Sequence, residues 1–134
     1  ATIVRAVCRQ QFGLGPGGLC GNDDSGGLSS WFVWAAVGLM PLAGLDLLCL
    51  TAPLFDEVVL PWGGKELHIR APGAAERPYI AAAQVNGRDW PRAWFQHHEL
   101  ADGATIDLEL SPEPTAWGQD QLPDPLHTGP ERPL

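Results

Sequence analysis

The chain is organised around one stretch, GNDDSGGLSSWF, which occupies residues 21–32. It places an amide and two adjacent carboxylates, Asn22, Asp23 and Asp24, in a glycine-bounded turn directly before an apolar run. Because a helix N-terminus carries partial positive charge and unpaired N–H groups, it holds nearby carboxylates in their ionised form. An ionised carboxylate suits a general base or a metal ligand, whereas a general acid must carry a proton.

Ordinary helix capping is the alternative interpretation of this acidic pair. Asp and Ser are favoured at helix N-termini, where their side-chain oxygens accept hydrogen bonds from the first free N–H groups. Adjacent residues also point in different directions, so one of the two carboxylates can serve as a cap alone. The acidic pair by itself therefore does not decide between capping and chemistry.

Four short motifs surround the pair: GLGPGGLCGNDD (residues 13–24), LSSWFV (28–33), GLMP (38–41) and TAPLF (51–55). Together they resemble the C-terminal part of glycoside hydrolase family 92, the calcium-dependent exo-α-mannosidases. The family's motifs are similar to G-x-x-G-N-D/E-D-x-G-x-x-S-x-W-Y/F, followed by G-x-x-P and then S/T-x-P-L-F. The resemblance extends from the first predicted helix to about Leu110, which would be only the final part of a complete family member.

The resemblance implies a fold class and a division of the chain. We expect an α+β fragment that contains the end of an (α/α)6 barrel, with about two helices, followed by an antiparallel β segment. Residues 1–44 would form the end of the catalytic barrel with the GNDD loop, and residues 45–111 the antiparallel β region. Residues 112–134 form a Pro-rich tail with little apolar content, for which we expect poor order.

The resemblance also implies a function and a set of site residues. The chain would belong to an inverting exo-acting α-mannosidase, with α-1,2-linked mannose of glycans as substrate and Ca²⁺ gripping the sugar. Asp24 would be the base and Asp23 its partner, although the two roles can be reversed. Gly21, Asn22 and Trp31 would contact the substrate, and Asn22, Asp23 and Asp24 the calcium ion. The general acid would be a glutamate that this chain does not contain, so we expect the isolated fragment to be inactive.

Two other classes of function compete with this prediction. One is a non-catalytic β-rich carbohydrate-binding or interaction module, and the other is an inactive relative that keeps the fold. A sugar-binding surface could use four of the tryptophans, namely Trp62, Trp90, Trp94 and Trp117. Aromatic side chains in strands more often pack into the sheet, so we expect these four to belong to the core.

Charge and hydropathy limit the partners. The net charge is −8, with sixteen acidic against eight basic residues, which disfavours nucleic acid and anionic membrane surfaces. The apolar run Leu28–Met40 is too short to span a bilayer, and we expect no membrane partner. The expected partners are a mannose-containing glycan and the remainder of a longer chain. Family analogy suggests a secreted or cell-envelope protein, although no signal sequence is visible in this fragment.

The predicted secondary structure follows from periodicity and turn residues. An amphipathic helix should run to Phe12 and end at Gly13, with Arg5, Arg9 and Gln10 on its polar side. A second, largely apolar helix should cover Leu28–Met40, where Gly38 and Pro41 end it. The predicted strands are Leu45–Thr51, a hairpin around residues 61–65, Tyr79–Val85 ending at the Asn86-Gly87 turn, a returning strand Trp90–Gln96, and a last strand Ile106–Leu110. His97–Gly103 should form a short turn or helical loop.

Overall fold

Two α-helices open the chain in the computed structural model, which describes residues 1–123. Helix α1 spans Thr2–Gln11 and helix α2 spans Gly27–Val37. They pack through Phe12, whose ring centroid lies 5.8 Å from that of Trp31 and 4.9 Å from that of Phe32. The first helix therefore lies where its apolar spacing predicts it.

Arg5 differs from its expected position on the polar side of α1. The side chain is buried, and its guanidinium donates hydrogen bonds to the carbonyl oxygens of Ala74 and Pro53. Burial, which removes water from the charged group, lowers the pKa of Arg5, and the nearby charge of Arg9 lowers it further. The assignment of Arg5 to a solvent-facing side was wrong because its partners lie in distant loops that helical periodicity does not reveal.

Helix α2 ends three residues before its predicted end at Met40. Gly38 adopts a left-handed conformation with φ 86°, and its N–H donates to the Trp34 carbonyl. A Cβ atom at this position would lie 2.6 Å from the carbonyl oxygen of Thr51, so only glycine fits without a shift. The chain turns at this glycine, and Leu39–Pro41 becomes strand β1.

Within residues 1–123, eight strands form two sheets, and the two α-helices precede all eight strands in the chain. The first sheet has the order β1-β2-β7, with β2 at Leu47–Leu50 and β7 at Trp94–Gln96. The second sheet has the order β3-β4-β8-β5-β6. Its strands are β3 Glu57–Trp62, β4 Lys65–Arg70, β5 Tyr79–Val85, β6 Arg88–Asp89 and β8 Ala104–Ser111.

The second sheet is mixed, so the prediction of a wholly antiparallel β region was wrong in one place. Strand β8 lies between β4 and β5, antiparallel to β5 but parallel to β4, with Ile69 opposite Ile106. Its alternating residues Ile106, Leu108 and Leu110 are buried, as their spacing predicts. Alternation identifies which face of a strand is buried, but it carries no information about the direction of the neighbouring strand.

Of the predicted returning strand Trp90–Gln96, only Trp94–Gln96 is a strand, and the strand that returns across the Asn86-Gly87 turn is instead Arg88–Asp89. Arg88–Asp89 pairs with β5 across the Asn86-Gly87 turn, whereas β7 pairs antiparallel with β2 in the first sheet. Pro91 lies between them and has no N–H to donate to a ladder. The chain therefore leaves one sheet and joins the other, and Phe95 of β7 is fully buried.

The last described segment, residues 112–123, lies against the first and second sheets. The Thr115 hydroxyl donates to the Ile80 carbonyl, and the Trp117 indole nitrogen donates to the Trp90 carbonyl at 3.1 Å. The Trp94 indole nitrogen reaches the Gln121 carbonyl at 2.8 Å. This part of the Pro-rich tail makes defined contacts, and residues 124–134 lie outside the described residues. The predicted boundary at residue 44 falls in the turn between β1 and β2.

Candidate active site

The loop before α2 has an unusual backbone. Three successive residues adopt positive φ angles: 36° at Asp24, 60° at Ser25 and 85° at Gly26. The first two are not glycines, and such conformations cost energy unless surrounding contacts hold them. The Gly27 N–H closes the turn onto the carbonyl oxygens of Asp23 and Asp24, at 2.5 Å and 3.3 Å.

The side-chain carboxylate of Asp23 is held by a single residue of α2. Its Oδ1 accepts a hydrogen bond from the Ser29 backbone N–H and its Oδ2 accepts one from the Ser29 hydroxyl, both at 2.7 Å. These two bonds, first the hydroxyl and then the backbone N–H, lower the pKa of Asp23 below its ordinary value. Asp23 is therefore held ionised, and it satisfies one of the free N–H groups at the start of the helix.

Asp24 is differently placed. Its side chain is exposed, and its Oδ1 accepts a hydrogen bond from the Asn22 side-chain amide at 2.7 Å. Within residues 1–123 this is the one hydrogen bond to its carboxylate, so the Oδ2 atom is open to solvent or to a ligand. The loop thus presents one carboxylate outward and retains the other against the helix.

The other predicted site residues lie around this loop in different environments. Gly21 is exposed, and a Cβ atom there would make only an ordinary contact, 3.8 Å from Leu28 Cδ1. Trp31 is half-buried on α2, with its ring nearly parallel to that of Phe12 at an interplanar angle of 16°. The structure therefore brings Asn22, Asp23 and Asp24 together and gives Trp31 a packing partner in Phe12, directly after α1.

The loop offers the right class of donor for calcium but only a few atoms. Ca²⁺ takes about six to eight oxygen ligands, mainly from carboxylates, carbonyls and water. The Asp24 carboxylate and the Asn22 side-chain oxygen are available, whereas both Asp23 oxygens already accept bonds from Ser29. No group of three or more His, Cys, Asp or Glu side chains converges in the part of the chain that the structure describes. These residues fit a partial calcium shell that further oxygens would have to complete.

The residue that sequence reasoning missed is Ser29. It stands in the quoted motif, but nothing assigned it a role before its two bonds to Asp23 were visible. A Ser in the first turn of a helix, six residues after an acidic residue, is the only signal that could have pointed to it.

The four tryptophans considered for sugar binding give no support to an exposed sugar-binding platform. Trp62, Trp90 and Trp117 are half-buried and pack against the core as predicted, although only Trp62 of the three lies in a strand. Trp94 of β7 is half-buried as well but lies outside that packed group. Trp90 stacks on Phe95 with ring centroids 4.7 Å apart. The guanidinium of Arg92 lies 4.1 Å from the Trp90 ring centroid and 4.4 Å from that of Trp94, and it also pairs with Glu99 at 2.6 Å.

Comparison with known proteins decides the family. The model of the glycosyl hydrolase family 92 catalytic domain matches residues 1–112. The chain belongs to glycoside hydrolase family 92. The resemblance read from the motifs around the acidic pair is confirmed.

Individual relatives of this family 92 chain agree with that assignment. An uncharacterized secreted glycosidase of Arthroderma benhamiae is 34% identical over 122 residues, which is 86% of this chain and 16% of that protein. An inverting family 92 mannosidase from Bacteroides thetaiotaomicron is 34% identical, with a TM-score of 0.73, over 84% of this chain and 16% of that one. A family 92 α-mannosidase of the same organism shares the fold, with a TM-score of 0.77 at 22% identity over 84% of this chain and 16% of its own. The family 92 chain thus spans about one sixth of the length of these relatives.

No helix within residues 1–123 is both long and apolar enough to cross a membrane.

Proposed function

We propose that this chain is the C-terminal part of a longer, inverting exo-acting α-mannosidase that hydrolyses mannose-containing glycans. The observation that carries the proposal is the GNDD loop, which exposes the Asp24 carboxylate while Ser29 retains Asp23 against α2. Membership of family 92 and the similarity to an inverting mannosidase support it.

In this proposal Asp24 is the general base. An inverting glycosidase needs a carboxylate that takes a proton from water while the water oxygen attacks the anomeric carbon. The free Oδ2 of Asp24 would accept that proton, and the amide of Asn22 would keep Oδ1 in place. The bond to the leaving sugar breaks as its oxygen receives a proton from a hydrogen-bonded carboxylic acid, whose carboxyl group lies about 6.5–9.5 Å from that of the base. That acid would be a glutamate outside this chain, so the isolated chain would be inactive.

Calcium is the cofactor that the proposal requires. Asn22 and Asp24 would hold it through their side-chain oxygens, together with oxygens from other groups and from the sugar. When bound, the ion would position vicinal hydroxyls of mannose. Asp23, whose oxygens are engaged by Ser29, would support the loop in preference to contacting the ion directly.

The remainder of the longer chain is the expected partner of the helical part. Large apolar side chains on α1, the glycine loop and α2 are exposed, namely Ile3, Leu14, Leu19 and Val33. A surrounding helical barrel would cover them. We also propose α-1,2-linked mannose as substrate, and secretion, as the name of the Arthroderma relative suggests.

The role of Asp24 is tested by Asp24→Asn in the full-length enzyme. The variant keeps the shape of the side chain but removes its basicity, so kcat should fall by about 10²–10⁴-fold. The measurement is steady-state hydrolysis of an α-mannoside. Asp102→Asn, which changes an exposed residue in the turn before β8, is the matched control and should retain wild-type kcat. A kcat near wild type for Asp24→Asn would contradict the assignment.

A further inference from the structure

The Ser29 side chain and backbone hold Asp23 in a two-point clasp. Both carboxylate oxygens of Asp23 accept hydrogen bonds from this one residue, each at 2.7 Å, which fixes the position and the rotation of the carboxylate together. Ser29 lies in the first turn of α2, so the clasp joins the loop to a helix.

Asp23 is held at its backbone as well as at its side chain. The Gly27 N–H donates to the Asp23 carbonyl at 2.5 Å, so both the backbone and the side chain of Asp23 are hydrogen-bonded to α2. Asp24 follows immediately with φ 36° and Ser25 with φ 60°, which are conformations that a free loop would leave. A strained backbone of this kind persists where neighbouring contacts over-determine it, and the clasp supplies such contacts.

The direction of the Asp24 carboxylate depends on this backbone. Its own side chain has one partner within residues 1–123, the Asn22 amide, and Asn22 belongs to the same exposed loop. The loop is connected to the scaffold through Asp23 and Gly27, and Ser29 donates two hydrogen bonds to the Asp23 carboxylate, one from its backbone N–H and one from its hydroxyl. Loss of the Ser29 hydroxyl would loosen the segment that aims Asp24.

We propose that Ser29 is a positioning residue for the reaction: it clasps Asp23 and thereby sets the orientation of the Asp24 carboxylate. The inference rests on the proposed function and adds to it a residue that never touches the substrate. Asp23 serves as the anchor of the loop, and Asp24 alone faces the reacting water.

The neighbouring Ser30 provides a matched control. It lies one position further along α2, is exposed, and its hydroxyl bonds the Gly27 carbonyl at 3.2 Å and no part of the acidic pair. Ser30→Ala removes the same atom from the same helical turn but leaves the clasp intact.

The test compares Ser29→Ala, Ser29→Thr and Ser30→Ala in the full-length enzyme, with kcat, KM and melting temperature measured for each. The free energy lost with a hydrogen bond to a charged group corresponds to about a tenfold or larger decrease in rate. The kcat of Ser29→Ala should therefore fall by about that factor. KM should change less than kcat, because Asn22 and the oxygens outside this chain would still hold the calcium ion and the sugar. Ser29→Thr keeps the hydroxyl and should recover most of kcat, and Ser30→Ala should behave as wild type.

The outcomes separate this inference from the proposed function. If the wild-type enzyme is an active mannosidase and Ser29→Ala has the same kcat, the positioning role is overturned but the proposed function stands. A lower melting temperature of Ser29→Ala with unchanged kcat would show that the clasp serves only stability, which also overturns it. Failure of Ser29→Thr to recover activity would do the same. Absence of mannosidase activity in the wild-type enzyme would overturn the proposed function and, with it, the inference.

Discussion

Asp23 and Asp24 are neighbours in the chain, yet their carboxylates have different surroundings. Ser29 binds both oxygens of Asp23, whereas Asp24 is exposed and bound only by Asn22 within the described residues. The sequence alone predicts a pair of ionised acids before a helix, and it also predicts that one of them can be a cap. Which one caps depends on the positive φ angles of the loop and on the reach of Ser29, and neither can be read from composition or periodicity.

Arg5 shows the same limit for a buried charge. Its acceptors, the carbonyls of Pro53 and Ala74, lie 48 and 69 residues away along the chain. A helical wheel places every arginine of α1 on the polar side, because the pattern contains no information about such distant partners. Arg9, whose side chain binds the Ala75 carbonyl at 3.0 Å, stays exposed as predicted.

The calcium proposal makes a prediction at the level of single residues. Chelator treatment of the full-length enzyme should abolish activity, and added Ca²⁺ should restore it. Asn22→Ala removes one of the two available side-chain oxygen donors and the amide that holds Asp24, so the calcium concentration that half-restores activity should rise by about tenfold or more. Calorimetric titration with Ca²⁺ should show the same weakening.

Two results would contradict the calcium prediction. Full activity in excess chelator would show that the enzyme does not require a metal ion. An unchanged calcium requirement in Asn22→Ala would remove Asn22 from the metal site.

At the level of elements, the turns were the most predictable features. The Gly63-Gly64 pair joins β3 to β4 with φ angles of 55° and 81°, and Asn86-Gly87 joins β5 to β6 with 50° and 74°. Both pairs supply the positive φ angles that tight hairpins require, and the residues that allow them are local in sequence. The destination of Trp94–Gln96 was not predictable in this way, because its partner β2 lies more than forty residues earlier.

One glycine, Gly38, determines where helix α2 ends. Gly38→Ala should destabilise the protein by more than about 2 kcal/mol, because it adds a steric clash to the cost of a positive φ in a residue with a side chain. A Cβ atom there would lie 2.6 Å from the Thr51 carbonyl oxygen and 2.9 Å from the Pro53 nitrogen. The measurement is the shift in melting temperature of the full-length enzyme.

Gly44→Ala separates the two causes of that destabilisation. Gly44 has φ 82°, close to that of Gly38, but a Cβ atom there would meet nothing within 4 Å. Gly44→Ala should therefore destabilise the protein only through the unfavourable positive φ of an alanine, by about 1–2 kcal/mol. Equal shifts in melting temperature for the two variants would show that the close approach of Thr51 does not matter.

At the scale of the whole molecule, the sequence predicted the content of the β region better than its topology. The hairpins and the buried alternation of β8 follow from local patterns. The parallel pairing of β4 with β8 does not, because it depends on a connection that leads from β4 through β5, β6 and β7 before β8 returns between its neighbours. Long-range order of this kind is set by the packing of the assembled core.

The whole-molecule claim is that this family 92 chain completes a longer enzyme. It spans about one sixth of the length of the relatives it matches, which fits the exposed apolar residues of its helical part. We therefore propose that this chain supplies the general base of the reaction and that another segment supplies the general acid.

The most direct test of this claim is ¹H NMR of the first sugar released by the full-length enzyme from an α-1,2-linked mannobiose. Attack of water on the face opposite the leaving group inverts the anomeric centre. If the enzyme inverts, β-mannose should appear first and convert to the α form only later, by mutarotation. Initial release of α-mannose would contradict a base-activated water at Asp24, and absence of any release would contradict the α-1,2-mannosidase assignment.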